Sequence, residues 1–401
     1  MLRILIIAPT MYFSDRGCHI RIYEQARVLR EMGHRPTIIT YHSGNDIGSS
    51  HVNRIIRTPW YDKLVAGPSL HFLYMDALLF LKCLEYTHSQ KVDIIHAHLH
   101  EGAFIAGLLL KTRTCANIKY VFDAQGSLTG EMTAHGFLRG KGVARKFWRR
   151  LEHDIDNNAH FTITSSDHLR NTMLKDFGVS PNRIMTISDG VDPDKFKPRN
   201  KYTLHENYFL DLRSELGIPN DRLVVVYLGG MDRHKGINYL IESIPGVLES
   251  NKKIHFLLMG YPGEESIRER IVEMGVGGNV SITGKIPYAE APRYLSVGDM
   301  AVAPKLLEWG EANGKLFNYM GCGLPVVAFD HPTNREIMGK AGVYAEMGST
   351  ASLTEKILEL AGNRGKRRDL GLRLRRLAKD QYTWEKTGER IEKVYRALMN
   401  E

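Results

Sequence analysis

A glycine turn with two cations, GGMDRHKG at 229–236, follows an apolar run and precedes a helical pattern. Glycines let a ligand approach the backbone closely, and the N-terminus of the following helix favours an anion. Gly229, Gly230, Arg233 and Lys235 are therefore candidates for binding a diphosphate group. The pattern also fits an ordinary glycine turn with solvated basic side chains, because isolated glycine motifs are weak signals.

A second group of polar residues lies in EWGEANGKLFNYMGCGLPVVAFD, residues 308–330. Glu308 and Glu311 precede a short predicted helix, and a carboxylate accepts hydrogen bonds strongly from sugar hydroxyls. The backbone N–H groups at 314–316 are candidates for a second phosphate contact, and Asn318 is a candidate for a ribose contact. The alternative is an acidic surface loop before an ordinary helix.

Strands and helices that alternate along the chain must position these motifs. Short apolar runs typical of buried parallel strands occur in two series. The first series is RILIIAP (3–9), PTIITY (36–41), VDIIHAH (92–98), KYVFDAQ (119–125), HFTITS (160–165) and RIMTIS (183–188), and the second is LVVVYLGG (223–230), KIHFLLMG (253–260), VSITG (280–284), DMAVAP (299–304) and LPVVAFD (324–330). This alternation predicts an α/β fold with two doubly wound Rossmann-like domains and a cleft between them.

The domain boundaries follow from the segment between the two series. DPDKFKPRN (192–200) is rich in proline and charge and is the predicted linker. We place an N-terminal domain at 1–195, a C-terminal domain at 196–380, and a last helix at 381–401 that packs back on the N-terminal domain. The other helical patterns are at 19–32, 236–250, 264–275, 288–297 and 314–321. Because ligands of open α/β sheets bind beyond the carboxyl ends of the strands, the residues that follow each strand are the candidates for the site.

Composition and charge exclude several classes of protein. The 401 residues are 43% hydrophobic and 25% charged, which is typical of a globular chain rather than a disordered or fibrous one. No apolar stretch approaches the ~20 residues that span a bilayer, and the four cysteines form no paired motif. We therefore expect a cytoplasmic protein. Most of the net charge of +9 falls in the first 200 residues, which hold 26 Lys and Arg against 19 Asp and Glu, so this half is expected to face an anionic partner.

RGKGVARKFWRRLEHDI (139–155) has the pattern of a basic amphipathic helix, with six basic residues from Arg139 to Arg150. Its apolar stripe consists of Val143, Phe147, Leu151 and Ile155. A helix of this kind suits an anionic membrane surface, which predicts a peripheral position at the inner face of the membrane through Arg139–Arg150. The alternative is a helix that packs on the core and leaves its cationic face in solvent.

The order of the motifs resembles that of the retaining glycosyltransferases with the GT-B fold, the group 1 or family 4 type. The similar segments are APTMYFSDRGCHIRIYEQARVLREMGHRPTIIT, TITSSDHLRNTML, GVSPNRIMTISDGVDPDKF, LVVVYLGGMDRHKG, VSITGKIP and EANGKLFNYMGCGLPVVAFD, which together cover about residues 1–395. The resemblance implies two Rossmann-like domains whose parallel sheets face each other across a cleft. It also implies transfer of a sugar from a nucleoside-diphosphate sugar, held by the C-terminal half, to a lipid-linked or glycan acceptor held by the N-terminal half.

Position by position, the resemblance assigns Lys235 to the donor diphosphate and departs from the family at the neighbouring positions. The family's arginine falls on Gly230, and Arg233 is the candidate replacement. The first glutamate of the family's paired motif falls on Gly310, or on Glu311 if this loop is one residue shorter. We favour Glu311, because it keeps the sequence GKL in register. Glu311 and Lys235 are therefore the predicted catalytic residues.

Further donor-binding residues are predicted. Asn318 occupies the position of the family's ribose-binding glutamate, and the others follow other predicted strands. The predicted donor-binding residues are Gly17, Gly229, Gly230, Arg233, Lys235, Lys285, Ile286, Glu311, Gly314, Lys315, Leu316 and Asn318. Neither a metal ion nor a cofactor is expected, because the helix dipole and the basic side chains neutralise the diphosphate. Asp192-Pro193-Asp194 imitates a metal-binding motif but lies in the linker. No nucleic-acid partner is expected.

The acceptor side is predicted from alternating histidines and from the segment after the strand KYVFDAQ. The predicted residues are His98, His100, Glu101, Gln125, Gly126 and Ser127. His96, His98 and His100 share one strand face, so a metal site is the alternative. The family's acceptor-side histidine falls on Gln125, which positions a hydroxyl but is not a base. In retaining transfer the leaving diphosphate is expected to take the acceptor proton instead.

Two other functions fit the same motifs. The first is a nucleotide-sugar epimerase of the same fold, although Gln125 argues against it because epimerisation requires groups that abstract a proton. The second is a non-catalytic, nucleotide-sugar-binding partner subunit, which the departures at Gly230 and Asn318 leave open. The sequence does not identify the sugar or the nucleotide.

Overall fold

The computed structural model describes residues 1–48, 51–58, 71–134, 136–138, 142–198, 212–232, 235–306 and 312–400. The chain forms two compact units. Unit 1 contains Met1–Asp189 and Trp384–Glu401, and unit 2 contains Gly190–Leu307 and Asn313–Thr383.

Unit 1 is built on a parallel sheet of seven strands. They are β1 (Arg3–Ala8), β2 (Arg35–Thr40), β3 (Val52–Arg54), β4 (Ile94–His98), β5 (Lys119–Ala124), β6 (Phe161–Thr164) and β7 (Ile184–Thr186). Their order in the sheet is β3-β2-β1-β4-β5-β6-β7. The inner strands β1, β4 and β5 are buried along almost their whole length, as expected of parallel strands covered on both faces.

The first six helices also belong to unit 1. They are α1 (Gly17–Glu31), α2 (His71–Ser89), α3 (Leu99–Leu109), α4 (Leu128–Ala134), α5 (Val143–Asn158) and α6 (Asp167–Asp176). Met75 and Leu79 of α2, Ile105 and Leu109 of α3, and Ile155 of α5 belong to one apolar core with the sheet. These helices therefore fix the loops at the carboxyl ends of the strands.

Unit 2 has a second parallel sheet, of six strands. They are β8 (Leu223–Leu228), β9 (Ile254–Met259), β10 (Val280–Gly284), β11 (Met300–Ala303), β12 (Val326–Phe329) and β13 (Val343–Ala345), in the order β10-β9-β8-β11-β12-β13. Side chains of β8 alternate between two cores, because Val224 and Val226 face one and Val225 and Tyr227 face the other. The sheet is thus covered on both faces.

The helices of unit 2 complete its two outer layers. They are α7 (Ile237–Ser250), α8 (Glu264–Glu273), α9 (Ala291–Leu295), α10 (Lys315–Gly321), α11 (Pro332–Met338), α12 (Thr350–Gly362) and α13 (Arg364–Gln381). Leu240 of α7 and Leu353 of α12 lie in one core, whereas Leu316 of α10 and Leu374 of α13 lie in the other.

The last helix, α14 (Trp384–Asn400), is part of unit 1. It packs on α1 at Gly388, where an added Cβ would lie 2.9 Å from Cγ2 of Val28. Tyr395 is fully buried, and its hydroxyl lies 2.5 Å from Nδ1 of His96 on β4. The C-terminal helix therefore reaches the centre of the first sheet.

The predicted α/β fold with two parallel-sheet, Rossmann-like domains is confirmed. Every strand predicted from an apolar run is present, but the three-residue strands β3 and β13 were not predicted. The helix predicted at 288–297 is a 3-10 turn, Tyr288–Glu290, followed by the short α9. Among the described residues, no helix has the length and apolar character needed to cross a membrane.

Candidate functional site

Three lysines gather at the carboxyl ends of two strands in unit 2. Lys235 precedes α7, Lys305 follows β11, and Lys315 is the first residue of α10. We call Lys235, Lys305 and Lys315 the lysine cluster. The charges of Lys235 and Lys305 act on Lys315, and Asp232 contributes the opposite charge.

Two glycines allow the lysine cluster to form. Gly229 has a φ of 146°, and an added Cβ would lie 2.6 Å from Nζ of Lys315. Gly236 has a φ of 71°, and its Cβ would lie 1.7 Å from the carbonyl oxygen of Pro304. Because a side chain at either position would clash, glycine brings the start of α7 against the end of β11 and admits the Lys315 ammonium beside β8.

The ammonium of Lys315 is buried and has no hydrogen-bond partner among the described residues. It lies 4.0 Å from the ring centroid of Tyr227, a cation–π contact. Burial lowers the pKa of Lys315 well below its ordinary value, and the charges of Lys235 and Lys305 lower it further. An anion bound here would reverse these effects, so the cluster has the chemistry of an anion site.

One hydrogen bond joins β8 to α10, and another closes the turn after β8. The backbone N–H of Leu228 donates to the hydroxyl of Tyr319 at 2.7 Å, and the hydroxyl of Tyr227 donates to the carbonyl of Gly230 at 2.6 Å. Leu316 is fully buried in the core and Asn318 is 9% exposed. Gly314 is the N-cap of α10. Leu316 can therefore offer only its backbone to a ligand.

The other predicted donor residues are distributed around the same sheet or lie elsewhere. Lys285 and Ile286 follow β10, and the Lys285 ammonium lies 5.0 Å from the ring centroid of Tyr261. An added Cβ at Gly230 would lie 2.9 Å from Oδ2 of Asp232, so a longer residue here requires the Asp232 side chain to move. Gly17 begins α1 in unit 1, and an added Cβ there meets nothing within 4 Å. Arg233, Glu308 and Glu311 lie outside the described residues.

In unit 1, a buried charge network connects β4, β5 and α1. The rings of His96 and His98 stack with centroids 4.7 Å apart, and Asp123 of β5 is in register with His98. Asp123 accepts hydrogen bonds from Nε of Arg21 at 2.9 Å and from Nε2 of Gln25 at 2.9 Å. Burial alone would raise the pKa of Asp123, but Arg21 and the two histidines hold it well below its usual value.

Gln125, at the end of the same strand, is positioned by His98. Its Nε2 lies 3.2 Å from Nδ1 of His98. Burial lowers the pKa of His98 to about 3, an effect that Asp123 opposes and that His96 and Arg21 reinforce. His98 is therefore neutral at physiological pH, so an uncharged ring positions the Gln125 amide. The amide oxygen is the atom to which an acceptor hydroxyl can donate.

His100 lies in an ionic cluster with two carboxylates of α5. Its Nε2 is 3.3 Å from Oδ1 of Asp156 and 3.8 Å from Oε1 of Glu152, both on α5. Burial lowers the pKa of His100, but the hydrogen bond and charge of Asp156, with Glu152 and Glu101, raise it to about 9. A protonated His100 thus balances buried carboxylates.

Glu152 also binds the segment that carries the predicted acceptor residues Gly126 and Ser127. Ser127 Oγ donates to Glu152 at 2.7 Å, and the backbone N–H groups of Leu128 and Thr129 donate at 2.9 and 3.0 Å. Thr129 Oγ1 adds a further bond to the same carboxylate. Because Glu152 satisfies the free N–H groups at the start of α4, it fixes the loop after β5.

Two groups of side chains have the spacing of metal ligands. They are His96, His98 and Asp123, and His100, Glu152 and Asp156. Asp123 already pairs with Arg21, the two carboxylates of the second group face His100, and Glu152 also caps α4. The residues therefore fit an ion poorly, because a metal would have to displace cations that already neutralise these carboxylates.

No role was predicted from the sequence for Arg21, Asp123 or Asp76, and Lys305 was predicted only as one of the residues that follow a strand. Arg21 pairs with Asp123 and, at 2.7 Å, with Asp189. Burial raises the pKa of Asp76 to about 7, a rise opposed by the hydroxyl of Tyr41, which donates to it, and supported by the charge of Glu101. Lys305 directly follows a predicted strand, and this position was the sequence signal that indicated it. The others lie within helices or strands, where spacing alone gives no signal.

Comparison with known proteins gives two adjacent family matches. Residues 16–195 match the family model described as Glycosyltransferase Family 4. Residues 222–363 match the family model described as Glycosyl transferases group 1. The first match contains β2–β7, and the second contains all six strands of unit 2.

Relatives and solved structures cover the whole chain at low identity. Phosphatidyl-myo-inositol mannosyltransferase of Mycobacterium leprae is 27% identical over 414 residues, covering 99% of this chain and 97% of that protein. One component of human phosphatidylinositol N-acetylglucosaminyltransferase is 23% identical, covering 98% of this chain and 75% of that protein. The structure of sucrose-phosphate synthase from Thermosynechococcus elongatus has a TM-score of 0.79 at 19% identity and covers 100% of both chains, which indicates the same fold.

Proposed function

Because the chain belongs to the glycosyltransferases of group 1 and family 4, we propose that it transfers a sugar from a nucleoside-diphosphate sugar to a lipid-linked or glycan acceptor, with retention of configuration and without a metal ion. The observation that carries the proposal is the buried Lys315 ammonium beside Gly229. A cation without a hydrogen-bond partner in the described residues is costly unless an anion binds to it. A diphosphate is the anion that the family's donors contain.

In this proposal the lysine cluster binds the donor diphosphate. The resemblance implies an arginine at the position that Gly230 occupies in this chain. Lys315 supplies the corresponding positive charge, because its ammonium lies directly beside Gly229. Lys235 contacts the same diphosphate from the start of α7. Glu311 remains the predicted contact for the sugar, and Asn318 the predicted contact for the ribose.

The proton and charge balance of transfer is consistent with these residues. The acceptor oxygen forms a bond to the anomeric carbon, the bond from that carbon to the diphosphate breaks, and the hydroxyl proton passes to a diphosphate oxygen. Gln125 accepts a hydrogen bond from the acceptor hydroxyl without removing its proton. The lysines stabilise the charge that grows on the leaving diphosphate, which is the role of a metal ion in other transferases.

The names of two relatives indicate a class of acceptor. Both are named for adding mannose or N-acetylglucosamine to phosphatidylinositol. Their names support a lipid-linked acceptor for this chain over a free glycan. Transfer to a lipid requires the enzyme to reach a membrane surface.

Helix α5 is the proposed membrane contact. Val143 and Phe147 are 84% and 62% exposed, whereas Ile155, two turns further on, is 6% exposed. Lys146 and Arg150 are exposed beside them, so the first two turns present apolar and basic side chains together. This arrangement supports docking to an anionic membrane over the alternative of a helix packed fully on the core. Arg139 and Lys141 lie outside the described residues.

Ligand binding followed by product analysis tests the proposal. Thermal shifts with UDP, GDP, ADP and dTDP identify the nucleotide, because a ligand at 100 times its Kd adds about 2.7 kcal/mol of stability. A radiolabelled sugar donor of that nucleotide is then incubated with a lipid extract, with and without EDTA, and the anomer of the product is determined by NMR. Lys235→Ala is expected to bind the nucleotide more weakly by roughly 1.5–3 kcal/mol.

Each outcome separates the rival functions. A labelled lipid or glycan with the donor's anomeric configuration supports the proposal. An isomerised nucleotide sugar would identify an epimerase, and nucleotide binding without any product would indicate a non-catalytic partner protein. Loss of product with EDTA would contradict the metal-free mechanism.

A further inference from the structure

Two buried asparagines of unit 2 join the segment before α10 to the segment after β12. Asn313 is two residues before Lys315, the first residue of α10, and is 1% exposed, and Asn334 lies in α11 and is fully buried. Nδ2 of Asn313 donates to Oδ1 of Asn334 at 3.2 Å. We call Asn313 and Asn334 the asparagine pair. Its hydrogen bond connects positions 21 residues apart in the sequence.

The orientation of the Asn334 amide is determined by the sheet. Its Nδ2 donates to the backbone carbonyl of Phe329, the last residue of β12, at 2.8 Å. Because an amide donates only from its nitrogen and accepts only at its oxygen, this bond leaves Oδ1 to face Asn313. At the start of the same helix, Nδ1 of His331 accepts a hydrogen bond from the backbone N–H of Thr333 at 3.1 Å. Asn334 is thus a fixed acceptor for the Asn313 side chain.

Asn313 lies between two proposed donor contacts in the sequence, because Glu311 is two residues before it and Lys315 is two residues after it. Positions two residues apart along a chain are separated by at most about 7 Å, so a fixed Asn313 restricts both neighbours. The side toward Lys315 has further support. The N–H of Leu316 donates to the carbonyl of Asn313 at 2.9 Å, and Leu316 and Phe317 are fully buried in the core. Loss of the asparagine pair should therefore disturb the Glu311 side more than the Lys315 side.

We propose that Asn334 is a positioning residue for sugar transfer: through Asn313 it holds the preceding loop so that Glu311 contacts the donor sugar. The inference rests on the proposed function, in which Glu311 contacts the sugar and the lysine cluster binds the diphosphate. Turnover depends on such placement, because a displacement of about 1 Å at a reacting group costs up to about 100-fold in rate. A pair that only satisfied two buried amides would contribute to stability but would not distinguish the sugar from the nucleotide.

Calorimetry on the full chain compares the nucleoside diphosphate found by thermal shift with its intact nucleotide sugar. Asn334→Leu, which removes both hydrogen bonds at similar volume, is expected to weaken binding of the nucleotide sugar about tenfold and to leave the nucleoside diphosphate within about twofold. Asn313→Ala removes the same bond from the other side and should give the same difference. Asn279→Leu is the matched control. It removes a 2.8 Å bond from Asn279 to the carbonyl of Ile254 at the amino end of β9, and should change the melting temperature but neither affinity.

A double-mutant cycle shows whether Asn334 acts through Glu311. Asn334→Leu should lower kcat about tenfold or more in the parent but less than about twofold in Glu311→Gln, where the contact to be positioned is already lost. Equal factors in both backgrounds, or equal loss of affinity for the nucleotide and the nucleotide sugar, would overturn the inference. So would unchanged kcat and sugar-donor affinity in both Asn334→Leu and Asn313→Ala. A parent that forms no product would remove the proposed transfer, while the two affinities would still decide the role of the asparagine pair. A parent that binds no nucleotide sugar would overturn both.

Discussion

At the scale of single residues, Lys315 holds an amine out of water with no hydrogen-bond partner among the described side chains and backbone. Such a group either loses its proton or requires an anion. Lys235 and Lys305 add like charge, so the cluster without a ligand favours the neutral amine, whereas a bound diphosphate favours the ammonium. Donor binding is therefore expected to take up a proton at Lys315.

This coupling predicts the direction of a pH dependence. Because the pKa of Lys315 is lowered well below its ordinary value in the protein without a ligand and rises in the complex, nucleotide affinity should increase as the pH falls through the range between these two pKa values, by at most about tenfold per pH unit. Lys315→Arg stays charged and should flatten the dependence. Lys315→Met should weaken binding and raise the melting temperature of the protein without a ligand. Calorimetry in buffers of different ionisation enthalpy measures the protons taken up, and equal uptake by the parent and Lys315→Arg would refute the coupling.

A second residue-scale prediction separates Glu311 from Glu308. Glu311 is three residues before the N-cap Gly314, where a carboxylate beside a diphosphate is tolerated only if it faces the sugar. Glu311→Gln is expected to lower turnover ~100-fold or more, the scale of a lost transition-state contact, and Glu308→Gln to change it only a few-fold. Steady-state kinetics with the identified donor measures both variants. The reverse result would mean that the loop is not one residue shorter than in the family and that Glu308 contacts the sugar.

The sequence indicates some of these residues and conceals others for a physical reason. Lys235 and Lys315 are next to glycines in the segments that follow β8 and β11, and parallel strands bring such segments to the same edge of the sheet. The pairing of Arg21 with Asp123 joins positions 102 residues apart, and neither residue lies in a turn. Only the packing of α1 against the sheet creates that contact. His100 was predicted on the acceptor side from alternation with His98, but the carboxylates of α5 determine its environment.

At the scale of elements, α5 connects the start of α3 to the start of α4. His100 of α3 lies against Asp156 and Glu152, and Glu152 caps α4. Because the folded pKa of His100 is about 9 and its ordinary value is 6.5, the stabilisation is fully present below pH 6.5 and is lost as the pH rises through 9.

We predict that His100→Gln reduces the free energy of unfolding near pH 6 by up to about 3 kcal/mol, since one pKa unit corresponds to about 1.4 kcal/mol. The difference from the parent should shrink toward pH 9.5. Denaturant unfolding at both pH values measures it, with His88→Gln, a change at an exposed position of α2, as the control. A constant difference between parent and variant across this range would mean that His100 acts by packing alone.

Elements themselves were predictable where burial leaves a pattern. Buried strands such as β1 and β8 are continuous apolar runs, so their positions follow from the sequence. Edge strand β3 is short and contains Asn53 and Arg54, which gives it no such run. The exposure of Val143 and Phe147 was not predictable either, because an amphipathic stripe is the same whether it packs on a core or on a membrane.

At the scale of the whole molecule, two features favour the proposed anionic membrane as a partner. They are the excess of basic residues in the first 200 positions and the exposed face of α5. Exposed Lys and Arg each contribute about 1 kcal/mol near an anionic surface, but only within a Debye length. Phe147 and Val143 add apolar burial worth roughly 1.5–3 kcal/mol each when fully inserted. Charge would bring the protein to the surface, and the apolar side chains would hold it there.

We therefore predict that the protein sediments with vesicles of phosphatidylglycerol and phosphatidylcholine, does not sediment with phosphatidylcholine alone, and is released by high salt. Changing Val143 and Phe147 together to Ser should abolish sedimentation while nucleotide binding stays unchanged. Val272→Ser on α8, where Val272 is 75% exposed, is the matched control, because it removes an equally accessible apolar side chain from unit 2. If the double variant and the control sediment alike, α5 is not the membrane contact. If the double variant still sediments with the vesicles and high salt releases it, the attraction is due to surface charge alone. The reason is that salt screens charges and leaves apolar insertion in place.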